Sequence, residues 1–565
     1  APPLSPIPNR ARFLLRRPAD PRRRPPRASS LDGNQKNVNP SDPAGAPRRR
    51  VPSATYRIQF NAGFTFRDGA AIVPYLAELG ISDLYASPYL QARPGSVHGY
   101  DIVDHGTLNR EIGDEHDHAR MSAALREHGL GHMLDIVPNP GSSEHPWFQA
   151  ARRDRNSVYH DYYVWVDEKP RNGEEKLIFG EDQGGNWCHV PAVDRWYYHT
   201  FYGHQPDLNF ANPEVQREIC DIMHFWLHQG IDGFRMDAVP HMIEDKGGIR
   251  FRADGHALLK NLRAFVSSRW PQAVLLAEAD EEPREVARFF GDGDEFHLLL
   301  NFYLSNYLFL AFARKEASGL DRAFRRLPDM HGRGQWANFL RNHDELDLER
   351  LQKDEFDDVM QAFAPEEHMR AFGRGIRRRL APMLEDDPRR LQLAYSLLLS
   401  LPGTPVLRYG DEIGMGEDLS LDGRDAVRTL MQWSSERNAG FSTAAAEALP
   451  QPVLSEGKWG YPQRNVTDQR RDPLSLLNWM ERAIRARRDC QEFGRGRFEA
   501  VDCSDPRVFA HRCRDDHRFT LAVHNLGDSE LEVTLDLGKE DRGHLLDLFG
   551  DCNYERWDGS TPTLR

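Results

Sequence analysis

The chain has 565 residues, more than one hydrophobic core usually serves, so two or three domains are expected. Hydrophobic residues make up 39%, enough for a large core, yet no continuous apolar run is long enough to span a bilayer. The net charge of −13 argues against a nucleic-acid or anionic-membrane partner and favours a neutral small molecule.

In chain order, residues 1–52 stand apart. "RRPADPRRRPPRASS" is rich in Pro and Arg and poor in large apolar residues. It cannot bury enough surface to offset its ordering entropy, so a disordered tail is expected. From Thr55 strand and helix patterns alternate. "DGAAIVPYLAELG" places Ile72, Tyr75, Leu76 and Leu79 at helical spacing, with Gly80 as the stop. "ISDLYASP", "HMLDIVPN", "GFRMDA", "VLLAEA", "WANFLRN" and "TPVLRYG" read as short buried strands, with helices such as "EVQREICDIMHFWLHQG" between them. This alternation predicts an α/β fold, a (β/α)8 TIM barrel built from residues 53–140 and 206–495. Residues 141–205 interrupt the rhythm and are too long for a structureless loop, so an inserted subdomain after the third strand is expected. From residue 496 onward "RVFAHRCRD", "RFTLAVHNL" and "LEVTLDL" alternate apolar and polar residues, the pattern of a C-terminal antiparallel β-sandwich.

The six cysteines are scattered, with no CxxC pair, and read as mostly reduced thiols of a cytoplasmic protein. A disulfide between Cys503 and Cys513 in the last domain stays open at this point.

Active sites of such barrels lie at the C-terminal ends of the strands. Four different strand ends carry Asp135, Asp237, Glu278 and Asp344. Arg235, two residues before Asp237, would keep that carboxylate charged, whereas the apolar run "LLAEAD" would keep Glu278 protonated. A charged carboxylate facing a protonated one is the equipment of a retaining glycosidase. The competing reading is an ion-pair network lining the barrel mouth.

At these residues the sequence resembles the α-amylase family of glycoside hydrolases and transglycosylases (glycoside hydrolase family 13). "DIVPNP", "GFRMDAVPH", "LLAEA" and "FLRNHDE" are similar to its four signature blocks, and "QPDLN" to a fifth. The resemblance implies Asp237 as nucleophile, Glu278 as acid/base and Asp344 as stabiliser of the transition state. It implies Arg235 and His343 in the subsite of the transferred glucose, with Tyr100 as its stacking platform. Asp135, His98 and Arg428 complete the expected substrate-binding set. The later barrel, through "YGDEIGMGEDLSLDGRDAVRTLMQW", looks like the trehalose synthase branch, and residues 55–105 look like the maltooligosyl trehalose synthase branch.

Departures from that pattern stand out, and the first two bear on chemistry. Val97 stands where pocket-type members carry an aspartate that grips the end of the sugar. Pro140 replaces a histidine that donates to the sugar; losing one such bond costs about 1–3 kcal/mol. Arg408 stands where a tyrosine is usual. The family resemblance also implies a structural calcium near Asn139, Asp207 and His241, whose oxygens suit that ion. No cofactor is expected for the chemistry itself.

The expected activity is therefore trehalose synthase-like, interconverting maltose and trehalose through a glucosyl-Asp237 intermediate. The alternatives are an α-glucosidase or amylase-type hydrolase, a maltooligosyl trehalose synthase-like enzyme, or a non-catalytic carbohydrate-binding homologue. Expected partners are small α-glucosides such as maltose, trehalose and malto-oligosaccharides, and a homo-oligomer is compatible with the chain.

Overall fold

The computed structural model describes residues 12–14, 50–139, 141–170, 177–178, 183–246, 255–330, 332–515, 518–537, 543–548, 553–557 and 563–564. Eight parallel strands close into a barrel: β1 (Thr55–Ile58), β2 (Asp83–Ala86), β3 (Gly131–Ile136), β4 (Gly233–Met236), β5 (Val274–Ala277), β6 (Leu298–Leu300), β7 (Gln335–Asn338) and β8 (Thr404–Arg408). Each pairs with the next, and β8 pairs with β1. β6 is the strand that pattern reading passed over. Only Asn301, the helix N-cap, separates its three leucines from the apolar start of the helix Phe302–Arg314.

Side-chain alternation divides the core. Tyr85, Met133, Val274, Leu276, Leu298, Leu300, Ala337 and Val406 cluster inside the barrel. Their neighbours Leu84, Leu134, Leu275, Leu299, Trp336 and Leu407 pack outward in the main core beneath the helices. Successive strand residues face opposite sides, so one strand serves both layers. The helix Phe66–Leu79 ends as expected at Gly80, whose φ of 93° is the left-handed conformation a glycine tolerates.

The insertion after β3 holds a short helix, Pro146–Ala151, and a three-stranded sheet. Arg195–Tyr198 lies between Trp165–Val166 and Trp187–Val190 in that sheet. After β7, Leu346–Asp347, Arg370–Ala371 and Gly375–Ile376 form a second small sheet over the barrel mouth. The C-terminal sheet comprises β9 (Arg497–Val501), β10 (Val508–Arg514) and β11 (Phe519–Asn525), all antiparallel. Its inner residues Val501, Val508 and Leu521 pack with Val533, Leu535 and Leu537, which form a second layer.

Arg12–Leu14 pairs antiparallel with β11. These three residues, inside the stretch 1–52, lie as an added strand on the edge of β11. Residues 1–11 and 15–49 lie outside the described ones. Cys188, Cys220, Cys490, Cys503 and Cys513 are free, so the Cys503–Cys513 bridge is not formed. Among the described residues no helix is long and apolar enough to cross a membrane.

Candidate active site

Arg235 organises the floor of the barrel mouth. It lies opposite Asp135 in the β3–β4 register, so both side chains enter the barrel. Its Nη1 donates to Asp135 Oδ1 at 2.7 Å and to Asp237 Oδ1, while its Nη2 lies 2.7 Å from Glu278 Oε2. Asp135 and Arg235 are completely buried beneath the cavity rather than lining it. They reach the substrate side through Tyr100, whose hydroxyl donates to Asp135 Oδ2 at 2.7 Å and stands 2.8 Å from His343 Nε2. Arg57 of β1, which pattern reading missed, donates to the same hydroxyl at 3.2 Å.

Asp237 follows β4, and its backbone N–H bonds Ile136 O at 3.0 Å. The next residue, Ala238, is left-handed at φ 46°, a conformation that costs a non-glycine residue about 1–3 kcal/mol. The turn aims the Ala238 N–H at Glu278 Oε2, 3.1 Å away. Strain at this point thus joins the ends of β4 and β5.

The electrostatics differ from expectation. Burial pushes the Asp237 carboxyl well above the usual range; Arg235 opposes this, and Glu278 and Asp135 reinforce it. Burial outweighs Arg235, whose one guanidinium is shared by three carboxylates. Asp237 and Glu278 share the Arg235 guanidinium, and a retaining pair works with one proton between its two carboxyls.

Asp344 behaves oppositely. Burial would raise its pKa, but the Arg424 and Arg428 guanidiniums outweigh it and hold the carboxyl well below the usual range. Arg428 Nη2 lies 2.7 Å and Arg424 Nη1 3.2 Å from Asp344 Oδ1. Arg428 Nε also donates to the His343 carbonyl at 2.9 Å. Burial keeps the His343 imidazole neutral.

These groups face a cavity of about 740 Å3, lined by His98, Tyr100, Asp237, Glu278, His343, Asp344 and Arg428 among others. Its roof comes from the insertion (Ile178, Phe201, Tyr202) and from the small sheet after β7 (Phe372, Arg374). Arg374 links the two, donating to Ile178 O at 3.0 Å while pairing with Asp347 at 2.8 Å and Glu345 at 3.3 Å.

His98 Nδ1 accepts the Tyr100 N–H at 3.0 Å, which leaves Nε2 as the donor on a cavity-lining ring that burial keeps neutral. Val97 contributes only its carbonyl, bonded by Gln59 Nε2 at 3.1 Å. Pro140 lies outside the described residues. Arg408 donates from Nη1 to Asn342 O at 3.0 Å and from Nη2 to Val427 O. It thereby ties together the loops that bear Asp344 and Arg428, and burial pulls its pKa down to about 9.

Asn139, Asp207 and His241 do meet, but around an ammonium group. Lys246 Nζ donates both to Asp207 Oδ2 and to the His241 carbonyl. Asn139 turns its Nδ2 toward Asp207, 3.2 Å away, because its Oδ1 accepts the Leu208 N–H at 2.8 Å. This arrangement does not fit a calcium ion. Among the described residues no group of three or more His, Cys, Asp or Glu side chains could hold a metal.

The family model for the alpha amylase catalytic domain matches residues 70–496. The chain belongs to the alpha-amylase family. Within this family it is 40% identical to trehalose synthase/amylase TreS of Mycobacterium tuberculosis (strain CDC 1551 / Oshkosh) over 498 residues, covering 87% of this chain and 82% of the relative. It is 39% identical to trehalose synthase of Pimelobacter sp. (strain R48), covering 87% and 89%. The fold is shared with a MutB mutant from crystals soaked with trehalulose, at TM-score 0.72 and 21% identity over 92% of this chain and 98% of that one. An alpha-amylase from H. orenii superposes at TM-score 0.70, with 24% identity over 87% and 93%.

Proposed function

We propose that this family member is a retaining transglucosylase of the trehalose synthase type, interconverting maltose and trehalose. The observation that carries the reading is the meeting of Asp237, Glu278 and Asp344 on one roofed cavity, in a chain about 40% identical to trehalose synthases over most of its length. Asp237 attacks the anomeric carbon of the bound glucosyl unit. Glu278 gives its proton to the departing oxygen, then takes one from the hydroxyl that attacks in return. This requires the pair's single proton to sit on Glu278 when sugar is bound. The positive charge that develops on the sugar ring in the transition state favours that arrangement, because it stabilises the charged Asp237 carboxylate. Asp344, held charged by Arg424 and Arg428, faces the same developing positive charge. If the released glucose stays under the roof and attacks through another hydroxyl, the product is the isomer; if water enters, it is glucose.

Hydrolysis of α-glucosides is the second reading, favoured by Val97, whose side chain offers no hydrogen bond to the sugar end. The proposed substrates are neutral α-glucosides, and the free thiols agree with a cytoplasmic setting. A fluorinated glucosyl donor should add the mass of one glucosyl group at Asp237. Maltose should then yield trehalose in excess over glucose. A chain that forms no adduct and turns over no α-glucoside is not this enzyme, and one that yields mostly glucose is a hydrolase.

A further inference from the structure

We infer that Lys246 is a built-in cation: it supplies the charge that binds the inserted subdomain to the loop carrying Asp237, and the brace needs no metal. Asp207 is fully buried, and a lone carboxylate there would be costly. Four donors satisfy it. Thr200 N–H reaches Oδ1 at 2.8 Å, while Thr200 Oγ1 at 2.6 Å, Asn139 Nδ2 at 3.2 Å and Lys246 Nζ reach Oδ2.

Only Lys246 among these donors carries a charge, and it is itself buried, with 6% of its surface exposed. Its ammonium spends a second hydrogen on the His241 carbonyl and lies 3.5 Å from Thr200 Oγ1. The Tyr198 ring, 5.7 Å away, adds a further favourable face. A divalent ion at this point would need oxygens from all sides. Asn139 offers its N–H instead, and its oxygen is already committed to Leu208.

The brace has a consequence for the site. His241 is four residues after Asp237, lines the cavity, and meets Phe201 of the insertion edge-on at 5.4 Å. Lys246 therefore acts as a positioning residue, holding the loop after β4 against the insertion without touching substrate.

The test compares Lys246→Met, Asp207→Asn, the double variant and the wild type by thermal melting, metal content and initial rate on maltose. Dialysis against EDTA should shift the wild-type melting temperature by less than about 1 °C and leave no stoichiometric metal, because no ion contributes. Lys246→Met should lower melting by about 3–5 °C, since it strands a buried carboxylate. Adding Asp207→Asn should recover at least about half of that loss, because the stranded charge is removed. In Lys246→Ala, which opens space beside Asp207, millimolar calcium should raise the melting temperature, while the wild type stays unchanged. One equivalent of calcium in the wild type, lost with stability on chelation, would overturn the inference. So would losses from Lys246→Met and Asp207→Asn that simply add.

Discussion

Arg235 Nη2 lies 2.7 Å from Glu278 Oε2, so the arginine that pattern reading assigned to Asp237 is shared with the proposed acid. One guanidinium thus fixes the spacing of the two carboxyls of a retaining reaction, the nucleophile and the group that serves first as acid and then as base. It also links them to Asp135 and, through Tyr100, to His343.

Arg235→Gln removes the charge that opposes the upward shift of Asp237. The acid limb of kcat/KM, which reports ionisation of the nucleophile, should move to higher pH. The rate at its optimum should fall by at least about 100-fold. An unmoved acid limb would contradict the shared-guanidinium account.

Arg374→Ala cuts the link between Ile178 and the sheet after β7. The roof should then admit water more readily, and the glucose-to-trehalose ratio from maltose should rise about 3–10-fold. Total turnover of maltose should change less than the ratio. Chromatography of the products decides the matter, and an unchanged ratio would place water control elsewhere.

Glu412 is buried and does not line the cavity; the Tyr56 and Tyr75 hydroxyls donate to its Oε1 at 2.6 and 2.5 Å. Burial raises its pKa from 4.5 to about 7. A raised folded-state pKa means the native protein holds the proton that the unfolded chain releases. Its contribution therefore falls as pH rises from 4.5 through about 7, by about 3 kcal/mol in all. Glu412→Gln, always neutral, should melt at a higher temperature than the wild type at pH 8.5 and at the same temperature at pH 4.5. Equal melting at both pH values would refute a protonated Glu412.

His511 and His524 dock the C-terminal sheet on the barrel helix Pro388–Ser400. His511 Nε2 stands 3.0 Å from Ser400 O, and His524 Nε2 stands 3.1 Å from Ser396 Oγ. Burial lowers their pKa values to about 4 and about 3. For a base depressed in the fold, the unfolded chain takes up protons first. Stability is thus intact above 6.5 and lost as pH falls toward 4. Urea melts between pH 7 and 4 should show this loss, and His524→Gln should flatten it. An acid slope identical in the variant would assign it to other groups.

The strand ends were legible before any coordinates, and so were the four acids. A barrel strand alternates inward and outward residues, and the residue at its C-terminal end must face the mouth. Asp237 and Glu278, directly after β4 and β5, follow that rule; Asp344, in the loop beyond β7, was legible only through block resemblance. β6 was not legible, because three leucines carry no period that separates strand from helix.

What only the tertiary structure decided is which charges neighbour which. Arg424 and Arg428 lie 80 and 84 residues beyond Asp344, on a different loop, yet their contacts keep its carboxyl charged. Lys246 takes the place expected for calcium through a carboxylate 39 residues before it. Arg408 leaves its strand to hold the carbonyls of Asn342 and Val427. Local periodicity determines which way a side chain faces; burial and the convergence of loops determine what it meets there. Charge energies depend on distance in space, screened over about 10 Å, and are blind to separation along the chain.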